Sequence, residues 1–167
     1  MFRFLEEEMK KIISAVLLVG MLGAAGCPDV RSPDVTRYDH PLSYDQALKA
    51  KDIDFPLPSS CSNVCYAMYA DWQAYTRMVR FEAPVTDCVA HIDVALKWDD
   101  RMYHRTNSYT RTRVQRVPAV SAGWLKSAKW FDPDKITDGI YVGPSGSHVP
   151  EIWVDLTKGV FYFIESD

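Results

Sequence analysis

The C-terminal segment of the chain places the tightest limit on its fold. Residues 160–164 read VFYFI, so a strand here is apolar on both faces. The preceding segment Glu151–Asp155 is also strand-like, and Gly159 between them suits the positive φ angle of a hairpin loop. A strand that is apolar on both faces belongs inside a sheet rather than at its edge. The sequence therefore predicts a C-terminal hairpin whose second strand is interior.

Three other segments have the pattern of strands. Residues 63–72 alternate, so that one face carries Val64, Tyr66, Met68 and Ala70, and the other carries Cys65, Ala67 and Tyr69. Residues 74–82 form a second strand, which Pro84 ends, and residues 139–142 form a shorter one.

Two segments have the features of helices. Ser43 and Gln46 make a capping box at the start of a short helix over residues 44–51. Residues 85–98 have helical spacing, with His91 on the polar side and an apolar side formed by Val85, Cys88, Val89, Ile92, Ala95 and Leu96. These elements predict an α+β fold, with an antiparallel sheet of about four to five strands and one main helix packed on a face. The predicted domain is single and covers residues 43–167.

The segment of residues 101–129 is basic and lacks a clear periodicity, with no acidic residue. We interpret it as a long loop with one strand near residues 112–117. Candidate binding residues for an anionic envelope polymer or a protein are Arg105, Arg111, Arg113, Tyr103 and Tyr109. The alternative is that these charges balance the acidic remainder of the chain through surface salt bridges.

The N-terminal residues have the layout of an export signal. Residues 12–26 are uncharged and apolar or small, and Lys10 and Lys11 precede them. A transmembrane helix needs about 20 residues, so this run is too short for one. It is typical of the apolar part of a secretory signal peptide, which we assign to residues 1–26. The acidic residues 6–8 are unfavourable in such a signal, so we expect translation to begin at Met9.

The end of this signal carries a recognisable motif. The run Leu22-Gly23-Ala24-Ala25-Gly26-Cys27 resembles the lipobox of bacterial lipoproteins, with Ala24 where the common pattern has leucine. The resemblance implies cleavage after Gly26, a lipid on Cys27, and a protein exported and anchored in a membrane. Pro28 follows the cysteine, which favours the outer membrane if the organism has one. The alternative is an ordinary signal peptide cut after Ala24 or Ala25.

The residues after Cys27 are predicted to form a tether. Residues 28–42 contain three prolines and several charges, so we expect residues 27–42 to be a flexible linker between bilayer and domain. The chain has 19 basic and 22 acidic residues, and three of each precede Cys27, so the remainder carries a net charge of −3. This mildly acidic balance gives no reason to expect a nucleic acid as partner.

The three remaining cysteines allow one disulfide, since an exported protein enters a compartment that permits one. Cys61 and Cys65 would lie about 13 Å apart on a straight strand, and a disulfide needs Cα atoms within about 7 Å. Cys88 lies on the apolar side of the predicted helix. The sequence therefore favours a Cys65–Cys88 bond, and buried free thiols are the alternative.

Other reactive residues form no recognisable site. The four histidines are scattered without metal-ligand spacing, and paired aspartates stand in predicted turns, so neither a metal nor a cofactor is predicted. Residues 58–66 and 79–84, followed by the helix, resemble small uncharacterised bacterial lipoproteins over about residues 55–98, and this resemblance implies no specific activity. We expect a lipid-anchored, non-enzymatic binding or structural module. The alternative is an envelope hydrolase, or an inhibitor of one, with a site near Trp130, Asp132 and His148.

Overall fold

One antiparallel sheet forms the framework of the domain. The computed structural model describes residues 34–70, 75–103, 109–115, 128–144 and 150–166, and within them the sheet has seven strands. The strands are β1 (Asp34–Leu42), β2 (Ser62–Ala70), β3 (Tyr75–Glu82), β4 (Tyr109–Val114), β5 (Gly139–Pro144), β6 (Glu151–Asp155) and β7 (Val160–Ser166). Two helices, α1 (Tyr44–Lys49) and α2 (Val85–Tyr103), and a 3₁₀ turn (Pro133–Lys135) complete the described elements.

The C-terminal hairpin lies at the centre of this sheet. The strand order is β1-β2-β3-β7-β6-β5-β4, and every neighbouring pair is antiparallel. The strand β7 is therefore the middle strand, and the prediction of an interior position is confirmed. Gly159 has a φ of 67° in the loop before it, which confirms the positive angle.

The predicted fold class holds at the level of an antiparallel sheet with helices, but the strand number was wrong. Residues 34–42, predicted as part of a flexible tether, form β1 and pair with β2 from Asp34↔Ala70 to Leu42↔Val64. An edge strand faces water along much of its surface, so it needs no apolar alternation, and Pro41 stands beside an irregularity in its ladder. The predicted long loop is also shorter, because α2 continues through Tyr103 and residues 109–114 form β4.

One face of the sheet, which we call the helix face, packs against both helices. Its buried strand residues are Val64, Tyr66, Val79, Phe81, Val142, Ile152, Val154, Phe161 and Phe163. The helix α2 contributes Cys88, Ile92, Ala95, Leu96 and Trp98 to the same core. The predicted capping box is present at α1. The backbone N–H of Gln46 donates to Ser43 Oγ, and the backbone N–H of Ser43 donates to Gln46 Oε1. Neither described helix combines the length and apolarity needed to cross a bilayer.

The other face of the sheet, which we call the second face, has its own smaller core. Ala67, Met78, Trp153, Val160, Tyr162 and Ile164 are buried there together with Ala128, Phe131 and Ile136. Residues 128–136 therefore cover part of this face. Alternate residues of β7 enter the two cores, which is why its sequence is apolar at every position from 160 to 164.

Candidate functional site

A groove runs between α2 and the loop of residues 56–60. Its volume is about 380 Å³, and we call it the α2 groove. The residues that line it are Pro56, Leu57, Pro58, Ser59, Ser60, Asp87, Ala90, His91 and Val94. The lining is mostly apolar, with hydroxyl groups and one carboxylate, as is common for a binding site.

The loop wall of the groove is held in place by local hydrogen bonds. Pro56 and Pro58 favour an extended, non-helical path. The Cys61 amide donates to the Pro58 carbonyl at 3.0 Å and closes a turn. Ser60 Oγ donates to Asp87 Oδ2 at 2.6 Å, which joins the loop to the first turn of α2. The groove is therefore anchored at the end that carries its carboxylate.

His91 forms the inner wall of the groove, and its predicted position on the polar side of α2 was wrong. The ring is 5% exposed and makes edge-on contacts with three phenylalanines, Phe55, Phe81 and Phe161. His91 comes three residues after Cys88, and therefore belongs to the buried stripe of the helix. The helical spacing therefore indicates that His91 is buried. The prediction of an exposed position came from the polar character of histidine.

The environment of His91 keeps its ring neutral. Burial lowers its pKa to about 4, although a hydrogen bond to the Pro56 carbonyl acts in the opposite direction. Its Nε2 is buried and accepts no hydrogen bond from the described residues. A ring that is closed off from water in this way cannot exchange protons readily with a bound molecule. The groove is therefore suited to recognition by shape and apolar contact.

A buried ionic cluster lies elsewhere on the helix face. Arg77 Nη1 is 2.9 Å from Glu165 Oε2, and Arg77 Nη2 is 2.9 Å from Asp54 Oδ2. Arg77 Nε donates to the Tyr66 hydroxyl at 3.3 Å, and the guanidinium lies over the Trp98 ring at 4.8 Å. Register explains the pairing, since Arg77 of β3 stands directly opposite Glu165 of β7.

The charged groups of this cluster all have partners within the protein. Burial would lower the pKa of Arg77, but Tyr66, Asp54 and Glu165 together raise it, so the guanidinium stays charged. Burial raises the pKa of Tyr66 to about 12, and its hydroxyl stays protonated. Tyr75 donates a further short hydrogen bond to Glu165. The cluster is thus suited to fixing the Asp54 loop on the sheet. The sequence could not reveal it, because the pairing depends on the strand register.

Three of the predicted basic and aromatic binding residues lie on β4, where each has an intramolecular partner. Arg111 forms an ion pair with Asp93 of α2, and Arg113 Nη2 lies 2.9 Å from Asp138 Oδ2. The Tyr109 hydroxyl donates to Asp99 at 3.2 Å and is 3.1 Å from Asp100 Oδ1.

The remaining two predicted binding residues stay a prediction. Tyr103 ends α2, and Arg105 lies outside the described residues. The contacts on β4 agree with the alternative in which the basic residues balance nearby acids.

The predicted Cys65–Cys88 disulfide is absent, and the two residues lie on opposite faces of the sheet. Cys88 belongs to the core of the helix face. Cys65 is adjacent to Val64 and Tyr66 of that core, so alternation turns its side chain to the second face. The three described cysteines, Cys61, Cys65 and Cys88, are buried free thiols.

Two residues of the predicted alternative site, Trp130 and Asp132, have intramolecular partners. Trp130 Nε1 donates to Asp39 Oδ1 at 2.7 Å. Asp132 accepts a hydrogen bond from Tyr162 at 2.9 Å and lies 2.8 Å from Lys135 Nζ. His148 lies outside the described residues, as do the predicted signal peptide and the lipidation residue Cys27. Within the described residues, no three His, Cys, Asp or Glu side chains are grouped to hold a metal ion.

Comparisons with known proteins give no relative from which a role could be transferred. No family profile, curated protein or solved structure matches the chain.

Proposed function

We propose that this protein is a lipid-anchored component of a bacterial cell envelope, held in a membrane through Cys27. In this proposal its sheet domain is a non-enzymatic binding or structural module. The resemblance of residues 22–27 to a lipobox supports the anchor. Two or more acyl chains on one protein give stable membrane attachment, because each buried methylene contributes roughly 0.8 kcal/mol.

The state of His91 is the observation that most favours a binding role over catalysis. A general acid or base needs a pKa near the working pH and access to the proton that it moves. His91 is the histidine of the α2 groove, yet it is neutral and enclosed by aromatic rings. The other described histidine, His40, is exposed on β1 and does not line the groove.

The α2 groove is the surface that best fits the binding role. Two apolar loop residues, Pro56 and Leu57, form one wall, while Ala90 and Val94 present exposed apolar atoms from α2. Val94 is among the few exposed large apolar side chains of the described residues. The alternative role, a hydrolase or an inhibitor of one, receives less support because Trp130 and Asp132 are engaged in contacts with Asp39, Tyr162 and Lys135.

Fatty-acid labelling in bacterial cells tests the anchor. We expect the full-length protein to incorporate labelled palmitate and to sediment with membranes. The Cys27→Ala variant should lose both properties, and the Cys65→Ala variant should keep them. Labelling that persists in Cys27→Ala, or the absence of label in the unaltered protein, would contradict the anchor.

Site-specific photo-crosslinking in intact cells tests the groove. A photoreactive residue at Val94 should give an adduct of defined mass, whereas the same residue at Leu48 should not, because Leu48 is exposed on α1 and does not line the groove. Equal adducts at both positions, or none at either, would argue against the groove as the binding surface.

A further inference from the structure

The start of β2 brings Cys61 close to the end of β3. Ser62 of β2 stands opposite Glu82 of β3 in the antiparallel register. Cys61 precedes Ser62 and Ala83 follows Glu82, so both residues lie at the same end of this strand pair. Asn63 Nδ2 donates to Glu82 Oε2 at 2.7 Å and fastens this end of the strand pair.

Cys88 approaches the same point from the first turn of α2. Its Sγ lies 3.6 Å from the carbonyl oxygen of Ala83. The residues that precede the two cysteines are also joined, since Ser60 Oγ lies 2.6 Å from Asp87 Oδ2. The segments of Cys61 and Cys88 are therefore joined directly at the residues that precede the two cysteines.

The two thiols also share one environment. Cys61 and Cys88 are both buried in the core of the helix face. Burial raises the pKa of each thiol to about 11, and Cys61 adds to the rise at Cys88, as expected for neighbouring sulfur atoms. Cys65 is on the second face and cannot reach either of them without turning its strand over.

We propose that Cys61 and Cys88 form a disulfide when the chain folds in an oxidising compartment, and that Cys65 remains a thiol. The bond would join the start of β2 to the first turn of α2 beside the α2 groove. The oxidising compartment is the one expected for an exported protein, so this condition rests on the proposed function. The pairing itself depends only on the geometry of the folded domain.

The reaction balances as a thiol–disulfide exchange with an oxidant that carries its own disulfide. One cysteine thiolate attacks the oxidant's disulfide, forms a mixed disulfide and releases one oxidant thiolate. The second cysteine thiolate then attacks the mixed disulfide, forms the Cys61–Cys88 bond and releases the other. The two protons from the cysteines end on the sulfur atoms of the reduced oxidant.

The order of events follows from the burial of both sulfurs. The thiolate is the attacking form, and burial makes it scarce once the core is closed. The bond should therefore form during folding, before α2 packs on the sheet. A chain that folds with both thiols reduced should oxidise slowly afterwards.

The test is refolding of the full-length chain, in a Cys27→Ala background, from denaturant in a mixture of reduced and oxidised glutathione. Remaining thiols are alkylated under denaturing conditions and counted by mass. We expect one reactive thiol in this background and none after the added Cys65→Ala substitution. The added Cys61→Ala or Cys88→Ala substitutions should instead leave two. Two reactive thiols in the chain that lacks Cys65, or a bond that includes Cys65, would overturn the proposal.

A thermal melt gives a second readout that does not depend on counting thiols. Reduction should lower the melting temperature of the refolded protein by roughly 10 °C, because the bond closes a loop of moderate length in the unfolded chain. The Cys65→Ala variant should show the same drop, and the Cys88→Ala variant should show none. Equal melting temperatures with and without reductant, in the chain that keeps both Cys61 and Cys88, would contradict the bond. Neither readout requires export or lipidation, so failure of the anchor would leave this test intact.

Discussion

Arg77 and Glu165 stand directly opposite each other on β3 and β7, and their charged groups meet at 2.9 Å inside the domain. The Glu165 side chain is fully buried and that of Arg77 nearly so. A buried ion pair is not itself a large source of stability, because both charges lose their hydration. Removing one partner is costly, since the other charge is then left buried without compensation.

Substitution Glu165→Gln should therefore destabilise the domain by about 3 kcal/mol. Asp54 still contacts Arg77 in this variant, and this contact limits the loss. Urea unfolding followed by tryptophan fluorescence measures the change. The matched control is Arg113→Gln, which breaks an exposed ion pair with Asp138 and should cost less than about 1 kcal/mol. Equal losses of unfolding free energy in the two variants would show that burial does not determine the cost of breaking the Arg77–Glu165 pair.

The buried, neutral His91 should make the domain sensitive to acid between pH 6.5 and about 4. Its pKa is 6.5 in the unfolded chain and about 4 in the folded one, so the unfolded chain binds the proton first as the pH falls. The contribution to stability is complete above pH 6.5 and is lost as the pH falls toward 4. From pH 7 to pH 4.5 this loss amounts to about 2–3 kcal/mol.

The substitution His91→Leu separates this contribution from that of the carboxylates. Its unfolding free energy should fall less steeply with acid than that of the unaltered protein, even if it is lower at pH 7. The control is His40→Gln, which changes an exposed histidine on β1. Parallel profiles for His91→Leu and the unaltered protein would show that His91 does not cause the sensitivity.

Gly159 should tolerate no side chain. Its φ is 67°, and a Cβ at this position would overlap the backbone carbonyl oxygen of Ala83. The Gly159 carbonyl also accepts a hydrogen bond from the Ala83 amide at 2.9 Å, so the loop cannot move away freely. Gly159→Ala should lower the free energy of unfolding by at least about 2 kcal/mol. The control is Lys158→Ala at the neighbouring exposed position, which should lower the free energy of unfolding by less than about 0.5 kcal/mol. Urea unfolding measures both variants.

The assignment of residues 34–42 to β1 predicts that they contribute to stability. Leu42 is partly buried against the core of the helix face, and its truncation in Leu42→Ala should cost about 1 kcal/mol. Val35 lies on the same strand with 54% of its surface exposed, and Val35→Ala should have little effect. A flexible tether would give no loss in either variant, and calorimetry distinguishes the two outcomes.

The sequence alone identified the elements that depend on residues close together in the chain. The interior strand β7 has apolar residues on both faces, and Ser43 with Gln46 specifies the start of α1 through contacts three residues apart. Gly159 marks its loop because few other residues adopt a positive φ. Each of these signals is local, so it can be read without knowledge of the fold.

Only the tertiary structure decided which distant residues meet. Pairing of Arg77 with Glu165, and separation of Cys65 from Cys88, depend on strand register and on the face to which each side chain turns. The edge strand β1 acquires its structure from β2, and its own polar sequence resembles a linker. A strand's partner is fixed by long-range hydrogen bonds and by the packing of the whole sheet, and neither leaves a periodic mark in the sequence of one segment.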